Sequence, residues 1–276
     1  ATLLTLSRAA CEKLTASSQA KRALKLFDDL EKKKLAELSA AEQCRLYRAR
    51  GEALLQVKRK REGYDALVLA TERCAGSDAM ASALYDAAKA AQKANLNSEA
   101  ASLFGRFEAA FPKHERADDA RVEGALAHKE AGNTAAFKKL LGSVGADYPK
   151  GDRTRDGVFA LAAYALETSA WAEAKEVLTL GRTLGAERTY YRAGRFSYYL
   201  GRAEVGLGNV EAGAKLYESV LLSAPLSYYA ALAASRLEAI EKGRAERVLR
   251  AAMALENAPN TAPELPLEQA KDSRVV

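Results

Sequence analysis

The chain has 276 residues, enough for two ordinary domains or one long array of repeats. Apolar residues at 49% and charged residues at 28% exclude a disordered chain, and no run approaches the roughly 18 to 20 apolar residues that a membrane span needs. The 42 basic and 36 acidic side chains leave +6, with the signs interspersed; the most basic run, Lys58 to Arg61, has no interleaved aromatics, so nucleic acid is not an expected partner.

Alanine supplies 59 residues while runs of Val, Ile and Thr are nearly absent, which predicts helix throughout and no sheet. The first clear helix start is Ser39-Ala40-Ala41-Glu42, which has capping-box spacing ahead of Leu46 and Leu54. It predicts a helix over about 41–57, followed by another over about 61–74. Antiparallel packing of the two brings Cys44 and Cys74 to one level, almost equally far from the turn. Two readings stay open: a Cys44–Cys74 disulfide, implying an oxidising compartment and roughly 3 to 4 kcal/mol of stabilisation, or two buried free thiols. Cys11 makes the count odd, and no pair has CxxC spacing. With only His114 and His128 as imidazoles, no metal site and no cofactor is expected.

From there on a phrase recurs in which a polar capping residue precedes a small or acidic pair. It stands at Asn97-Ser98-Glu99-Ala100, Asn133-Thr134-Ala135-Ala136, Ala170-Trp171-Ala172-Glu173-Ala174 and Asn209-Val210-Glu211-Ala212, with intervals of 36, 38 and 38 residues. A weaker copy sits at Glu62-Gly63. Phe111-Pro112 and Tyr148-Pro149 are 37 apart, and Ala224-Pro225 continues the series; each marks the end of the second helix of a pair. Gly132-Asn133 and Gly208-Asn209 read as tight interhelix turns, Gly closing one helix and Asn capping the next. Leu200, Ala203 and Leu207, then Ala214, Tyr217 and Leu221, form apolar stripes at helical spacing. The expected architecture is all-α, a right-handed superhelix of about seven antiparallel helix pairs over residues 1–255. Residues 256–276, with Pro259, Pro263 and Pro266, read as a linker toward a further segment.

No catalytic constellation emerges. Asp28-Asp29 and Asp118-Asp119 are sequential, so they do not converge as an acid and a base would, and they suit helix surfaces and first turns. His114 is expected in a solvated loop and His128 partly buried in a helix. Gly206-Leu207-Gly208 follows no strand, so it is no phosphate loop. Trp171 opens a helix and is expected to staple two pairs together, with a ligand role as the alternative. Seven of the twelve tyrosines lie between Tyr190 and Tyr229. Packing between repeats accounts for most of them, since neighbours on a helix point about 100° apart and only one of each pair lines a surface. Tyr191, Tyr199, Tyr228 and Tyr229, with Trp171, are the candidate surface or domain-contact residues.

Two resemblances add to this. Ser197-Tyr198-Tyr199-Leu200-Gly201 through Gly208, Gly213, Tyr217 and Pro225 resembles a tetratricopeptide repeat, and Ala88, Ala100, Phe104 and Pro112 match a second copy; Lys139-Leu140 and Leu178 replace the aromatic in other units. The pattern wants small residues where the paired helices cross and an aromatic between successive pairs. Secondly, Tyr191-Arg192-Ala193-Gly194-Arg195-Phe196-Ser197-Tyr198-Tyr199-Leu200-Gly201-Arg202-Ala203, Leu216-Tyr217 and Pro225-Leu226-Ser227-Tyr228-Tyr229 through Arg236-Leu237 are similar to the helical N-terminal region of soluble lytic murein transglycosylases.

That second resemblance implies a parent enzyme of the bacterial periplasm, which cleaves the MurNAc-GlcNAc bond of peptidoglycan through one glutamate to give a 1,6-anhydro product. The family signature, a Glu-Ser followed by Gly-Leu-Met-Gln, is not matched: the one Glu-Ser pair, Glu218-Ser219, lies inside a predicted helix. The chain is therefore expected to hold no catalytic residue. It would act as a scaffold positioning a missing catalytic domain on peptidoglycan. The start at Ala1, without Met and without a signal-peptide stretch, reads as a processed or a truncated one, and a lipid-bearing segment ahead of it fits the first of these. The rival reading is a tetratricopeptide-like adaptor of the cell envelope that holds a protein or peptide in a concave groove.

Overall fold

A computed structural model describes residues 3–16, 19–34, 37–185, 187 and 189–256. Among these there are fourteen helices and no strand. The expected linker, with its three prolines, lies outside the described residues from 257 onward, and the last helix runs to Glu256. The chain divides into two compact units, Ala1–Thr168 and Ser169–Val276, where the sequence suggested one array.

The first unit holds α1 (Leu3–Ala16), α2 (Ala20–Lys34), α3 (Ala40–Gln56), α4 (Lys60–Arg73), α5 (Met80–Lys93), α6 (Asn97–Ala110), α7 (Ala117–Glu130), α8 (Thr134–Asp147) and α9 (Thr154–Glu167). The second holds α10 (Trp171–Thr183), α11 (Arg195–Gly206), α12 (Val210–Ser223), α13 (Tyr228–Ile240) and α14 (Arg244–Glu256). Within each unit, from α3 in the first, successive helices pack on one another; next-but-one packing ties α3 to α5, α7 to α9, α11 to α13 and α12 to α14. This nearest-neighbour pattern defines a stacked helical repeat.

Two kinds of turn alternate. After α3, α5, α7, α9 and α11 the chain passes through a left-handed residue, at Lys58, Asn95, Gly132, Ser169 and Gly208, with φ between 55° and 84°. The spacing is 37, 37, 37 and 39, a period that the residue types themselves conceal. Four of these turns carry the six-residue backbone bond of a Schellman motif: Arg59 N to Leu54 O, Leu96 to Ala91, Asn133 to His128 and Asn209 to Glu204, at 2.8–2.9 Å. Asn133 caps α8 by accepting from Ala136 N at 3.1 Å. Asn209 does not cap as expected; its amide donates to Glu204 Oε2 at 2.8 Å, because that carboxylate, also paired with Lys175, lies within reach. The second kind of turn begins at a C-cap residue that leaves the helical region before proline: Phe111, Tyr148 and Ala224, with ψ near 55–59°. Cys74 occupies the same place 37 residues before Phe111, without a proline, and is bonded to Cys44 of α3.

Small residues mark the helix crossings. A Cβ on Gly201 of α11 would lie 2.6 Å from Tyr217 Cε1 and 3.1 Å from the carbonyl of Gly213 in α12, so the two backbones touch only because both positions lack a side chain. Ala88 and Ala100 fill the equivalent places in α5 and α6, and both are fully buried. The side chain wedged between pairs is Leu67, Phe104, Leu141 or Tyr217, each buried. In α8 this corrects the expected Lys139-Leu140: the spacing of 37 from Phe104 falls on Leu141. Leu207, read as part of an apolar stripe, is exposed because it is the C-cap of α11 and has turned away from the face that Leu200 and Ala203 bury.

Candidate functional site

In the first unit, the helices that begin each pair are laced by ion pairs: Arg48 of α3 to Asp86 of α5 at 2.7 Å, and Lys89 of α5 to Glu123 of α7 at 3.5 Å. Glu123 also meets Arg153, which caps α9, at 3.4 Å. Asp118 departs from the surface position expected of it. It is buried, and its Oδ2 accepts from the backbone N of Arg153 at 2.9 Å, supplying a cap that α9 lacks from its own N-cap residue. Asp118, Asp119 and Asp152 bring carboxylate oxygens within 4.8 Å of one another. Burial, first, and the neighbouring Asp118 and Asp152 raise the pKa of Asp119. The Arg153 guanidinium, 3.5 Å from Asp119, provides the local positive charge. His114 is half-buried rather than solvated, its ring edge-on to Phe107 with centroids 5.2 Å apart and its Nδ1 accepting from Arg116 N. Neither His114 nor His128 lies in an acidic or thiol cluster among the described residues.

The second unit carries the more distinctive surface. The connection between α10 and α11 is anchored from inside by Arg195 and Glu187. Arg195 Nη2 donates to Oε1 at 2.5 Å and Nε to Oε2 at 3.2 Å, and both side chains are less than a tenth exposed. Such a two-pronged pair is strong only when both partners stay in place. Beside it, Phe196 lies flat against Gly181 of α10, where any Cβ would fall 2.2 Å from the ring. Trp171, at the first turn of α10, covers Gly206 of α11 in the same manner, 2.4 Å from the position of a Cβ. It therefore staples α10 to α11, the packing role the sequence favoured.

The tyrosines of this unit sort by environment. Tyr198, Tyr217 and Tyr229 are buried, with the Tyr198 ring in contact with both others, 5.7 Å from Tyr217 and 5.5 Å from Tyr229. Burial, first, pushes the hydroxyls of Tyr217 and Tyr229 up to about 12. Tyr229 is thereby no surface residue, contrary to its candidacy; it points inward while Tyr228, one residue before it on α13, points out. Tyr199 is half-buried against Tyr229. Tyr190 and Tyr191 are both exposed, at 56% and 75%. The rule of one outward tyrosine per adjacent pair fails there because the pair lies in a turn, not a helix.

A groove of about 740 Å³ opens between this connection and the turn from α12 to α13, lined by Arg182, Glu187, Tyr190, Arg195, Leu226 and Ser227 among others. Its two walls are joined by the backbone N of Tyr228, which donates to Tyr190 O at 3.1 Å. Leu226 is 87% exposed and Tyr228 45%. Sequence reasoning named Tyr191 and Tyr228, which adjoin the lining residues Tyr190 and Ser227 in sequence, but it missed the lining residues Tyr190, Leu226 and Arg182 themselves. Their signal was the apolar residue directly after Pro225 and a long connection where the other turns are tight. Glu218, the glutamate before a serine, is held by Arg244 Nε at 2.7 Å and belongs to this packing.

The class that fold and surface define is the tetratricopeptide-like helical-repeat protein, with no helix among the described residues long and apolar enough to cross a membrane. No protein-family model and no curated protein matches the chain. Among solved structures it is similar to the apo form of RapI, with a TM-score of 0.59, 11% identity, and 92% of this chain and 86% of that one covered. It is also similar to a tetratricopeptide repeat protein from Parabacteroides merdae, with a TM-score of 0.51, 14% identity, and 91% and 98% covered. At such identities the likeness is one of fold.

Proposed function

We propose that this chain is a tetratricopeptide-like interaction scaffold, and that the groove of the second unit holds a peptide or protein segment. The observation that carries the reading is the exposure of Tyr190 and Leu226 on the lining of one groove, with the exposed Tyr191 and Tyr228 next in sequence to lining residues and the connection held by the buried Arg195–Glu187 pair. Large side chains gathered on a rigid rim are what an interaction site needs, and tyrosine is favoured there because it offers area at little entropic cost. The test is a photo-reactive phenylalanine analogue at Tyr191 of the full-length protein in its own cells. One discrete protein adduct, reproduced with the purified partner and missing when the label sits at Glu72, supports the scaffold. Absence of any adduct from Tyr191 overturns it.

A second reading rests on the Pro225-Leu226-Ser227-Tyr228-Tyr229 phrase, whose first three residues line one wall of the groove. Under it the chain is the non-catalytic helical region of a periplasmic lytic transglycosylase, and the groove faces glycan or the catalytic part. The bonded Cys44–Cys74 pair supports an oxidising place such as the periplasm. Full-length parent protein that releases no anhydro-muropeptides from sacculi rules this reading out.

A further inference from the structure

We infer that the groove takes an extended peptide segment that carries a carboxylate side chain onto Arg182 and lays apolar side chains against Tyr190 and Leu226. The inference deepens the scaffold reading and rests on it. Among the described residues three charged groups line the groove: Arg182, Glu187 and Arg195. Glu187 and Arg195 neutralise one another in a buried bidentate pair. Arg182, in the last turn of α10, is exposed and makes no ion pair among the described residues. The described lining therefore presents one uncompensated positive charge, and its complement is an anion.

The apolar part of the rim settles which kind of anion. Tyr190 offers a ring that either a sugar or an apolar side chain would meet, but Leu226, the most exposed large apolar residue among those described, has no aromatic face for a pyranose. An aliphatic or aromatic side chain next to a carboxylate fits the whole rim. The volume, about 740 Å³, is in the roughly 300–1,000 Å³ range that holds a few side chains rather than a folded surface. Arg182 then contributes at the rim, where it chooses among partners by charge more than it adds affinity.

Fluorescence anisotropy on the full chain decides the matter, with labelled peptides of one length and one Leu/Tyr/Gly content that carry Glu, Gln or Lys at the same positions. The Glu peptide is expected to bind tightest, with a preference that fades as salt rises. Arg182→Gln should weaken the Glu peptide by about three- to fivefold and leave the Gln peptide unchanged; Arg182→Glu should make the Lys peptide the best ligand. Leu226→Ala should weaken all three alike. Equal binding of the Glu and Gln peptides, or an order untouched by Arg182→Glu, overturns the inference while the scaffold reading stands. If no peptide binds but isolated glycan strands do, both fall and the second reading takes their place; if neither binds, the inference falls as well.

Discussion

The backbone N–H of Tyr228 donates to the carbonyl of Tyr190 at 3.1 Å, tying the irregular connection after α10 to the first residue of α13. That single bond closes the groove, and the Arg195–Glu187 pair holds the connection in the place where the bond can form. Glu187→Ala would leave a guanidinium buried without its partner. Chemical denaturation should show a loss of about 3 kcal/mol, and the paired replacement Glu187→Leu with Arg195→Met should recover most of it. A single replacement that costs nothing would mean the pair does not anchor the connection.

Cys74 stands where Phe111 and Tyr148 stand one and two periods later, at the end of a pair's second helix. Where they end the helix with an aromatic and a proline, Cys74 ends it bonded to Cys44 across 30 residues. Thiol titration of denatured, unreduced protein should count one reactive thiol, Cys11, and three after reduction. Reduction should lower stability by roughly 3 to 4 kcal/mol. Three thiols before reduction would remove the bond and the argument for an oxidising compartment.

Arg121 of α7 gathers three partners. Its guanidinium donates to Glu108 of α6, and to Ser143 and Asp147 of α8 at 2.7 and 2.8 Å, while Tyr148 Oη donates to Glu108 at 2.7 Å. Opposing the cost of burial, these hydrogen bonds hold Arg121 protonated well above its ordinary range. Arg121→Leu should cost about 2 to 3 kcal/mol, much of it from stranding Glu108, and Tyr148→Phe about 1 kcal/mol. Equal small effects for the two would contradict a network.

The buried Cys11 thiol is pushed up to about 11, chiefly by burial and then by Glu12. A raised pKa in the folded state means that its contribution is complete below the ordinary thiol value of 9.0 and is lost as pH rises toward 11, because the unfolded chain ionises first. Stability should fall between pH 9 and 11, and Cys11→Ala should flatten that fall in urea titrations. An unaltered slope would mean Cys11 is not the group responsible.

Much of the fold was legible in the sequence because the repeat is written in small residues and prolines, whose backbone demands are strict. Ser39 and Glu42 form the capping box that their spacing announced, with Ser39 Oγ accepting from Glu42 N. The positions where any residue can serve were hidden. Lys58, Asn95 and Ser169 do the work of Gly132 and Gly208 with no common chemistry, so only the structure reveals their period. Asp118 was misjudged because its partner, the start of α9, lies 35 residues on. At the groove, the tyrosine phrases drew notice while Arg182 and Leu226 did not, since an exposed arginine and leucine look ordinary until the turn between α12 and α13 sets them together. The inward turn of Tyr229 was likewise invisible before the phase of α13 was known.

The central claim is that this is a stack of paired helices whose work is done by the rim of one groove. It is tested most directly by titrating the partner captured at Tyr191 against the full chain and its Tyr190→Ala and Leu226→Ala variants, with helicity followed by circular dichroism. The account predicts unchanged helicity and affinity lowered about tenfold or more for each variant. Helicity and affinity both equal to those of the parent would contradict it.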